Sequence, residues 1–136
     1  MFPYCLDAAG RCELRGMTTK ELKQRTFDFG IRVVRVVGAL PKNDISRTLG
    51  HQLLRAGTSV DANYRAAARA RSRADFIAKL GIVEEECDEA LFWMEMLIVL
   101  ELVKPGRLVK LVREADELLA IIVSSITTAR RRRASR

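Results

Sequence analysis

Glu86 and Glu89 have the spacing of a metal-binding carboxylate pair, because side chains three positions apart on a helix lie on one face. Di-iron helix bundles, however, combine such glutamates with a Glu-x-x-His motif on facing helices. The chain has one histidine, His51, and it stands outside any such motif. We therefore predict no metal site and no cofactor. We expect the two glutamates to meet basic residues such as Arg55 or Arg65 across helices or between subunits.

Nucleophilic catalysis finds no support in the sequence either. There is no Gly-x-Ser-x-Gly elbow, no Walker loop and no Gly-x-Gly-x-x-Gly fingerprint, and no second histidine to act as a base. The cysteines, Cys5, Cys12 and Cys87, are an odd number without Cys-x-x-Cys spacing, which indicates reduced thiols in a cytoplasmic protein. We predict that the protein is not an enzyme and has no catalytic residues.

Two polar residues fall on an apolar helix seam. Asn63 lies in the seam of the second predicted helix, and Ser59 precedes it by one turn. We expect a buried amide that hydrogen-bonds to a neighbouring helix and fixes the register, as polar seam residues do in coiled coils. A ligand site is the alternative interpretation. Ser59, Asn63, Glu86 and Glu89 are therefore predicted to be structural polar residues.

The charge of the chain is large and unevenly distributed. Net charge is +7 and the isoelectric point is about 9.8. Residues 74–103 nevertheless carry one basic residue against eight acidic ones, so one acidic helix lies among basic ones. Basic side chains fall on one face of the second helix and in the carboxyl-terminal tail, where they could contact phosphates. The candidates for such contacts are Arg47, Arg55, Arg65, Arg69, Arg130, Arg131, Arg132 and Arg133.

Binding through these side chains would be independent of nucleotide sequence and sensitive to salt. Two other interpretations of the same charges remain open. They could form an ordinary solvated surface, or they could dock on the acidic helix of a neighbouring subunit.

Four helices must position these side chains. The first begins at Thr18, in a Thr-x-x-Glu capping box, and ends before Pro41. The others run from about Asp44 to about Ala70, from the capping box Ser72-x-x-Asp75 to about Val103, and from Pro105 to about Thr128. Short loops imply antiparallel neighbours, so we predict an all-α, antiparallel up-down-up-down four-helix bundle. No stretch reaches the ~18 apolar residues that a membrane-spanning helix requires.

The core face of the second helix follows from its apolar period. Its predicted members are Ile45, Leu49, Leu53, Ala56, Val60, Asn63 and Ala67.

The apolar surface exceeds what one bundle can bury. Residues 91–100 are apolar around nearly the whole helix, and the first helix carries a second apolar group away from its core seam. Because each helix of a four-helix bundle keeps one side to solvent, this surplus predicts an interface between subunits. The candidate interface residues are Phe27, Ile31, Val34, Phe92, Trp93, Met96, Leu97 and Leu100.

The two chain ends are predicted to stand outside the bundle. Residues 1–16 contain Pro3, Gly10 and Gly16, which break any helical period, so a disordered extension is expected there. Met17 is then an alternative to Met1 as the start. We assign residues 17–129 to the bundle and residues 130–136 to a basic tail.

Three blocks of this sequence resemble a known family. They are Gln52-Leu53-x-Arg55-Ala56-x-x-Ser59-Val60-x-x-Asn63-Tyr64-Arg65-Ala66, Ser72-x-x-Asp75-Phe76-Ile77-x-Lys79-Leu80 and Glu86-x-x-Glu89-x-x-x-Trp93. The chain is similar, from about Leu22 to Ala129, to the bacterial four-helix-bundle proteins named after the intervening sequences of 23S ribosomal RNA. The resemblance implies a ring of five subunits and no enzymatic activity. A related accessory protein of diversity-generating retroelements associates with a reverse transcriptase and nucleic acid, which makes RNA, DNA or such an enzyme possible partners.

Two functions are therefore compatible with the sequence. The first is an oligomeric nucleic-acid-binding accessory protein, and the alternative is a protein-interaction scaffold that binds no nucleic acid. No membrane association is expected.

Overall fold

The first and third helices begin at the capping residues that the sequence predicts. Thr18 Oγ1 accepts a hydrogen bond from the backbone of Glu21 at 3.1 Å, and Glu21 Oε2 accepts one from the backbone of Thr18 at 2.7 Å, so the predicted capping box is present. Ser72 caps the third helix as predicted. The cap of the second helix is Asn43 rather than Asp44, which is the first residue inside it.

The computed structural model describes residues 4–6, 12–14 and 18–134, and its side chains from 18 to 132. Four helices form the all-α body, and a short two-stranded ribbon precedes them. The elements are β1 Tyr4–Leu6, β2 Cys12–Leu14, α1 Thr19–Gly38, α2 Asp44–Ala68, α3 Arg73–Val99 and α4 Pro105–Ala134. Among the described residues, no helix is long and apolar enough to cross a membrane.

The end of α3 comes earlier than predicted because the backbone reverses there. Glu101 has a φ of 57°, the left-handed conformation that commonly ends helices. The backbone N–H of Leu102 then donates to the carbonyl of Leu97 at 3.0 Å, which satisfies a carbonyl of the last turn. Helix α4 in turn runs past Thr128, so the first part of the predicted tail is helical.

Successive helices pack against one another, and α1 also meets α4. The core lies between them and consists of large side chains that are withdrawn from solvent. The largest are Tyr64, Phe29, Leu22, Leu53, Leu80, Met94, Leu97, Leu108, Leu111, Leu118, Ile121 and Ile122. Cys87 also lies in this core, and burial raises the pKa of its thiol to about 12, so it stays protonated near neutral pH.

Four of the predicted core positions of α2 are buried, and the buried face also includes positions that the apolar period does not indicate; the four are Leu53, Ala56, Val60 and Ala67. Gly50, Gly57 and Tyr64 are buried, whereas Ile45 is 63% exposed. The cause is the close approach of α1, since a Cβ atom at position 57 would lie 2.7 Å from the methyl groups of Val33. The hydrophobic period of α2 does not reveal this face, because two of its contact positions carry no side chain.

The ribbon occupies part of the segment predicted to be disordered. Strands β1 and β2 pair antiparallel, with Tyr4 opposite Leu14 and Leu6 opposite Cys12, and β1 lies against α4. For these six residues, paired strands stand where disorder was predicted. The remaining residues of the predicted 1–16 extension, and the alternative start Met17, lie outside the described residues.

Candidate nucleic-acid interface and oligomer surfaces

Arg55 links α2 to α3 through two carboxylates. Its Nη1 atom lies 3.2 Å from Oε2 of Glu86, and its Nη2 atom donates to Oε1 of Glu89. The same oxygen of Glu89 accepts a hydrogen bond from Nε1 of Trp93 at 3.2 Å. This is the predicted pairing of the two glutamates with a basic residue across helices. Because two carboxylates neutralise it within the chain, Arg55 is a poor candidate for contacting phosphate.

The pKa of Glu89 is lowered, first by the hydrogen bond from Arg55 and then by that from Trp93. A lowered carboxyl pKa in the folded state stabilises the fold at pH values above the unfolded pKa, and this contribution is lost as pH falls through the folded value. We expect Arg55→Met to raise the pKa of Glu89 toward its ordinary value. Carbon-detected NMR titration of the Glu89 carboxyl group measures this directly.

Arg47→Met is the matched control for that titration, because Arg47 pairs with Asp44 on the same helix and not with Glu89. The titration of Glu89 should be unchanged in this variant. An equally low pKa of Glu89 in the Arg55→Met protein would contradict the assigned cause.

A buried carboxylate joins α1 to α2. Asp61 is 9% exposed; its Oδ1 atom accepts a hydrogen bond from Thr26 Oγ1 at 2.9 Å, and its Oδ2 atom forms an ion pair with Nε of Arg65 at 3.0 Å. The guanidinium group of Arg65 also lies 5.5 Å from the centre of the Phe27 ring, within cation–π range. Sequence reasoning missed Asp61. The feature of the sequence that could have identified it is an acidic residue in an otherwise buried stretch, followed one turn later by an arginine.

The predicted polar seam of α2 is different from the observed one. Asn63 is half-buried, and its Nδ2 atom donates to the carbonyl of Ser59 at 2.8 Å, within the same helix. Ser59 Oγ likewise donates to the carbonyl of Arg55 at 2.7 Å. The expected hydrogen bond from Asn63 to a neighbouring helix is therefore absent, and Asp61 makes the interhelical bond instead.

Helices α1 and α4 are joined by a third set of ion pairs. Arg25 contacts Glu114, and it also contacts Glu117 through its Nη2 atom, while Arg32 lies 4.0 Å from Glu114. These pairs join positions about 90 residues apart in sequence. No local pattern of the sequence indicates them.

The remaining predicted phosphate contacts fall into two groups. Arg47 is exposed but pairs with Asp44 at 2.9 Å. Arg69 and the tail residues are exposed at the surface, with Arg130, Arg131 and Arg132 on the last turns of α4. The side chain of Arg133 lies outside the described residues. Within the described part of the chain, no cluster of His, Cys, Asp or Glu could hold a metal ion.

Interhelical contacts show which helix ends lie together. Thr26 of α1 meets Asp61 of α2, Arg25 of α1 meets Glu117 of α4, and Arg55 of α2 meets Glu89 of α3. In an antiparallel arrangement, with which these contacts are consistent, the start of α1, the end of α2, the start of α3 and the end of α4 lie at one end of the molecule. We call this the basic end and define it as residues 18–24, 66–76 and 124–132.

The basic end contains eight basic residues and two acidic ones. Both acidic residues have partners, since Glu21 caps α1 and Asp75 pairs with Lys79 at 2.9 Å. The Lys79 ion pair is the first cause of the lowered pKa of Asp75. The basic residues are Lys20, Lys23, Arg69, Arg71, Arg73, Arg130, Arg131 and Arg132.

Apolar side chains on the outside of α1 and α3 form two further surfaces. The first, the α1 face, consists of Phe27, Ile31 and Val34, which are exposed. The second, the α3 face, consists of exposed Phe92 and Leu100 with half-buried Trp93 and Met96. Phe92 and Trp93 pack edge to face, with ring centres 4.8 Å apart.

One predicted interface residue belongs elsewhere. Leu97 is fully buried inside the single chain, whereas Phe92 and Leu100 are exposed. A residue with no exposed surface cannot contact another subunit directly. Leu97 is therefore a core residue. The sequence does not distinguish it from interface residues, because this part of the helix is apolar around its whole circumference.

Comparisons with known proteins agree with this fold. The family model described as the 23S rRNA-intervening sequence protein matches residues 19–124. A crystal structure of a protein of unknown function from Bacteroides thetaiotaomicron, assigned to the S23 ribosomal protein family, is similar with 33% identity and a TM-score of 0.75. The match covers 81% of this chain and 98% of that one. No curated protein matches.

Proposed function

This chain belongs to the 23S rRNA-intervening sequence protein family, and we propose from that premise that it is a non-enzymatic, oligomeric four-helix bundle that binds nucleic acid through basic surfaces. The single observation that carries the proposal is the concentration of exposed cationic side chains at the basic end. A cationic surface of this kind attracts phosphate backbones and speeds their encounter with the protein.

The proposal includes an antiparallel up-down-up-down arrangement. Support comes from the order of contacts between α1 and α2. Going forward along α1, Thr26 faces Asp61, Val33 faces Gly57 and Val37 faces Gly50, so the facing residue number on α2 decreases. The short connections between the helices agree with this arrangement.

The proposed assembly is a ring, most simply of five copies as in the family. The α1 face is flanked by basic Lys23 and Arg35, one turn from Phe27 and Ile31 respectively, whereas acidic residues precede Phe92 on α3. An α1 face of one copy is therefore complementary in charge and in apolar character to the α3 face of the next. Two different surfaces that match in this way associate head to tail, which generates rings when the rotation closes.

The assembly predicts a selective effect of surface mutation. We expect Phe92→Asp, at a side chain that is 49% exposed, to yield a folded monomer because it places a charge in the apolar contact without disturbing the core. Ile45→Asp is the matched control, since Ile45 is exposed outside both faces. Sedimentation velocity measures the mass of each variant, and circular dichroism checks its helicity. A wild-type protein that sediments as a monomer, or a Phe92→Asp protein that keeps the wild-type mass, would refute the proposed interface.

Nucleic-acid binding is tested by fluorescence anisotropy with labelled RNA and DNA between 50 and 200 mM NaCl. Affinity should fall steeply with salt because binding releases counterions from the phosphates. Absence of binding at 50 mM NaCl would remove the proposal.

A protein-interaction scaffold is the second candidate function. It is favoured by exposed apolar side chains such as Val99 and Val123, which the two faces do not include. Capture of a protein partner after nuclease treatment, together with no affinity for RNA or DNA, would support this function over the first.

A further inference from the structure

We propose that the basic end is a docking surface for the backbone of a double-helical nucleic acid, an inference that rests on the proposed function and specifies its site and partner. The sequence predicts phosphate contacts along a stripe of α2 and in the carboxyl-terminal tail, and of these the basic end includes Arg69 and the arginines of the tail. The structure weakens that stripe, because Arg47, Arg55 and Arg65 each have a carboxylate partner within the chain.

Several cationic side chains of the basic end are available to an external anion. At the basic end, Lys20, Arg69 and Arg130 are exposed and take part in none of the ion pairs of the described residues. These side chains are exposed with the β-ribbon in place, so the ribbon does not cover them. A cation without a carboxylate partner retains its full attraction for an external phosphate, whereas a paired one must first break its own ion pair.

The rest of the molecule carries less uncompensated positive charge than the basic end. Between the two ends, Arg25 and Arg32 of α1 pair with glutamates on α4, and Arg55 of α2 pairs with glutamates on α3. The opposite end, residues 38–47 and 98–110, carries five basic residues against two acidic ones, a net charge of +3, whereas the basic end carries eight against two, a net charge of +6. The uncompensated charge is therefore concentrated at the basic end, which three separate segments of the chain form together.

The side chains of the basic end are suited to a double-stranded nucleic acid and not to a single strand. Single-strand binding without sequence preference relies on aromatic side chains on which bases stack. Over residues 18–132, the aromatic side chain within the basic end is Phe76, and it is buried. Charge without a stacking platform favours a duplex, which has the higher charge density.

The dimensions agree with this partner. Helices in a bundle pack about 8–10 Å apart, so the end of four helices spans roughly 20 Å. A duplex carries one phosphate charge per about 1.7 Å of its axis, so about a dozen phosphates pass across that span. Eight basic side chains can contact a substantial share of them.

The test compares two variants that each lose three exposed positive charges. The end variant carries Arg69→Gln, Arg71→Gln and Arg130→Gln, and the control variant carries Lys104→Gln, Arg107→Gln and Lys110→Gln at the opposite end. Both are titrated against a labelled 20-base-pair DNA duplex, the equivalent RNA duplex and a 20-nucleotide single strand between 50 and 200 mM NaCl. Circular dichroism and sedimentation confirm that fold and mass are unchanged.

We expect the end variant to bind duplex about 100-fold more weakly at 100 mM NaCl, with a slope of log K against log salt that is shallower by about 2 to 3, since three phosphate contacts are lost. The control should weaken binding by less than about threefold. The DNA and RNA arms show whether one duplex form is preferred. If the end variant is misfolded, Lys20→Gln with Arg73→Gln and Arg131→Gln provides a second variant at the same end.

The outcomes separate this inference from the proposed function. If the wild-type protein binds no nucleic acid, the proposed function itself fails. If it binds but both variants weaken binding equally, the proposed function stands and the basic end is not the site. Tighter binding of the single strand than of either duplex would overturn the assignment of a double-helical partner.

Discussion

Leu97→Asp is expected to abolish the folded state. Leu97 is fully buried in the hydrophobic core, in the last turn of α3. Truncation of such a leucine to alanine costs about 2–5 kcal/mol, and an unpaired carboxylate in the same place costs several kcal/mol more. The sum is comparable with the whole stability of a domain, which is about 5–15 kcal/mol. Far-UV circular dichroism and urea titration measure the loss of helicity and of cooperative unfolding.

Leu100→Asp is the control for this experiment. Leu100 lies three residues later and is exposed in the single chain, so a charge there can separate the copies at the α3 face but is solvated in the monomer, and the helices should stay intact. Loss of cooperative unfolding in both variants would show that the last turn of α3 tolerates no charge on any side. A folded Leu97→Asp protein would contradict the placement of this residue in the core.

Gly57→Ala is expected to lower the free energy of unfolding by about 1–3 kcal/mol. A Cβ atom at this position would lie 2.7 Å from two methyl carbons of Val33, so α1 and α2 would have to separate. The steric cost exceeds the gain in helix propensity of about 1 kcal/mol that alanine normally brings. Urea denaturation followed by circular dichroism measures the difference.

Gly81→Ala provides the matched control, because no atom lies within 4 Å of a Cβ built there. This variant should be more stable than the wild type by about 0.5–1 kcal/mol. Adding Val33→Ala to the Gly57→Ala protein should make the two changes together less costly than the sum of the separate costs, since it removes the two methyl contacts at 2.7 Å and leaves the contact with the Cβ of residue 33 at 2.9 Å. Equal stability of the Gly57→Ala and Gly81→Ala proteins would argue against the close approach of the two helices.

Short sequence patterns predict where the helices of this fold begin. They do not predict which side of each helix is buried. Capping residues such as Thr18 and Ser72 mark the helix starts because their hydrogen bonds span three residues. The orientation of α2 depends instead on Gly50 and Gly57, whose role is to let α1 come close. A glycine gives no hydrophobic signal, so a seam drawn through apolar residues misses the contact that it makes.

The candidate site could also be predicted from the sequence only in part. The pairing of Arg55 with Glu86 and Glu89 follows from complementary charges on two helices whose proximity the sequence indicates. The contact between Arg25 and Glu114 joins distant parts of the chain, and no spacing rule identifies it. The basic end likewise appears only after folding, because its side chains come from three segments that are far apart in sequence.

A molecule with its excess positive charge at one end has a permanent electric dipole moment. In the field of a polyanion it experiences a torque that turns this end forward before the two surfaces touch, so a larger fraction of collisions begin in the correct orientation. The Debye length is about 10 Å at 0.1 M ionic strength, which is shorter than the bundle. Such alignment is therefore confined to the last approach, and it weakens as salt is added.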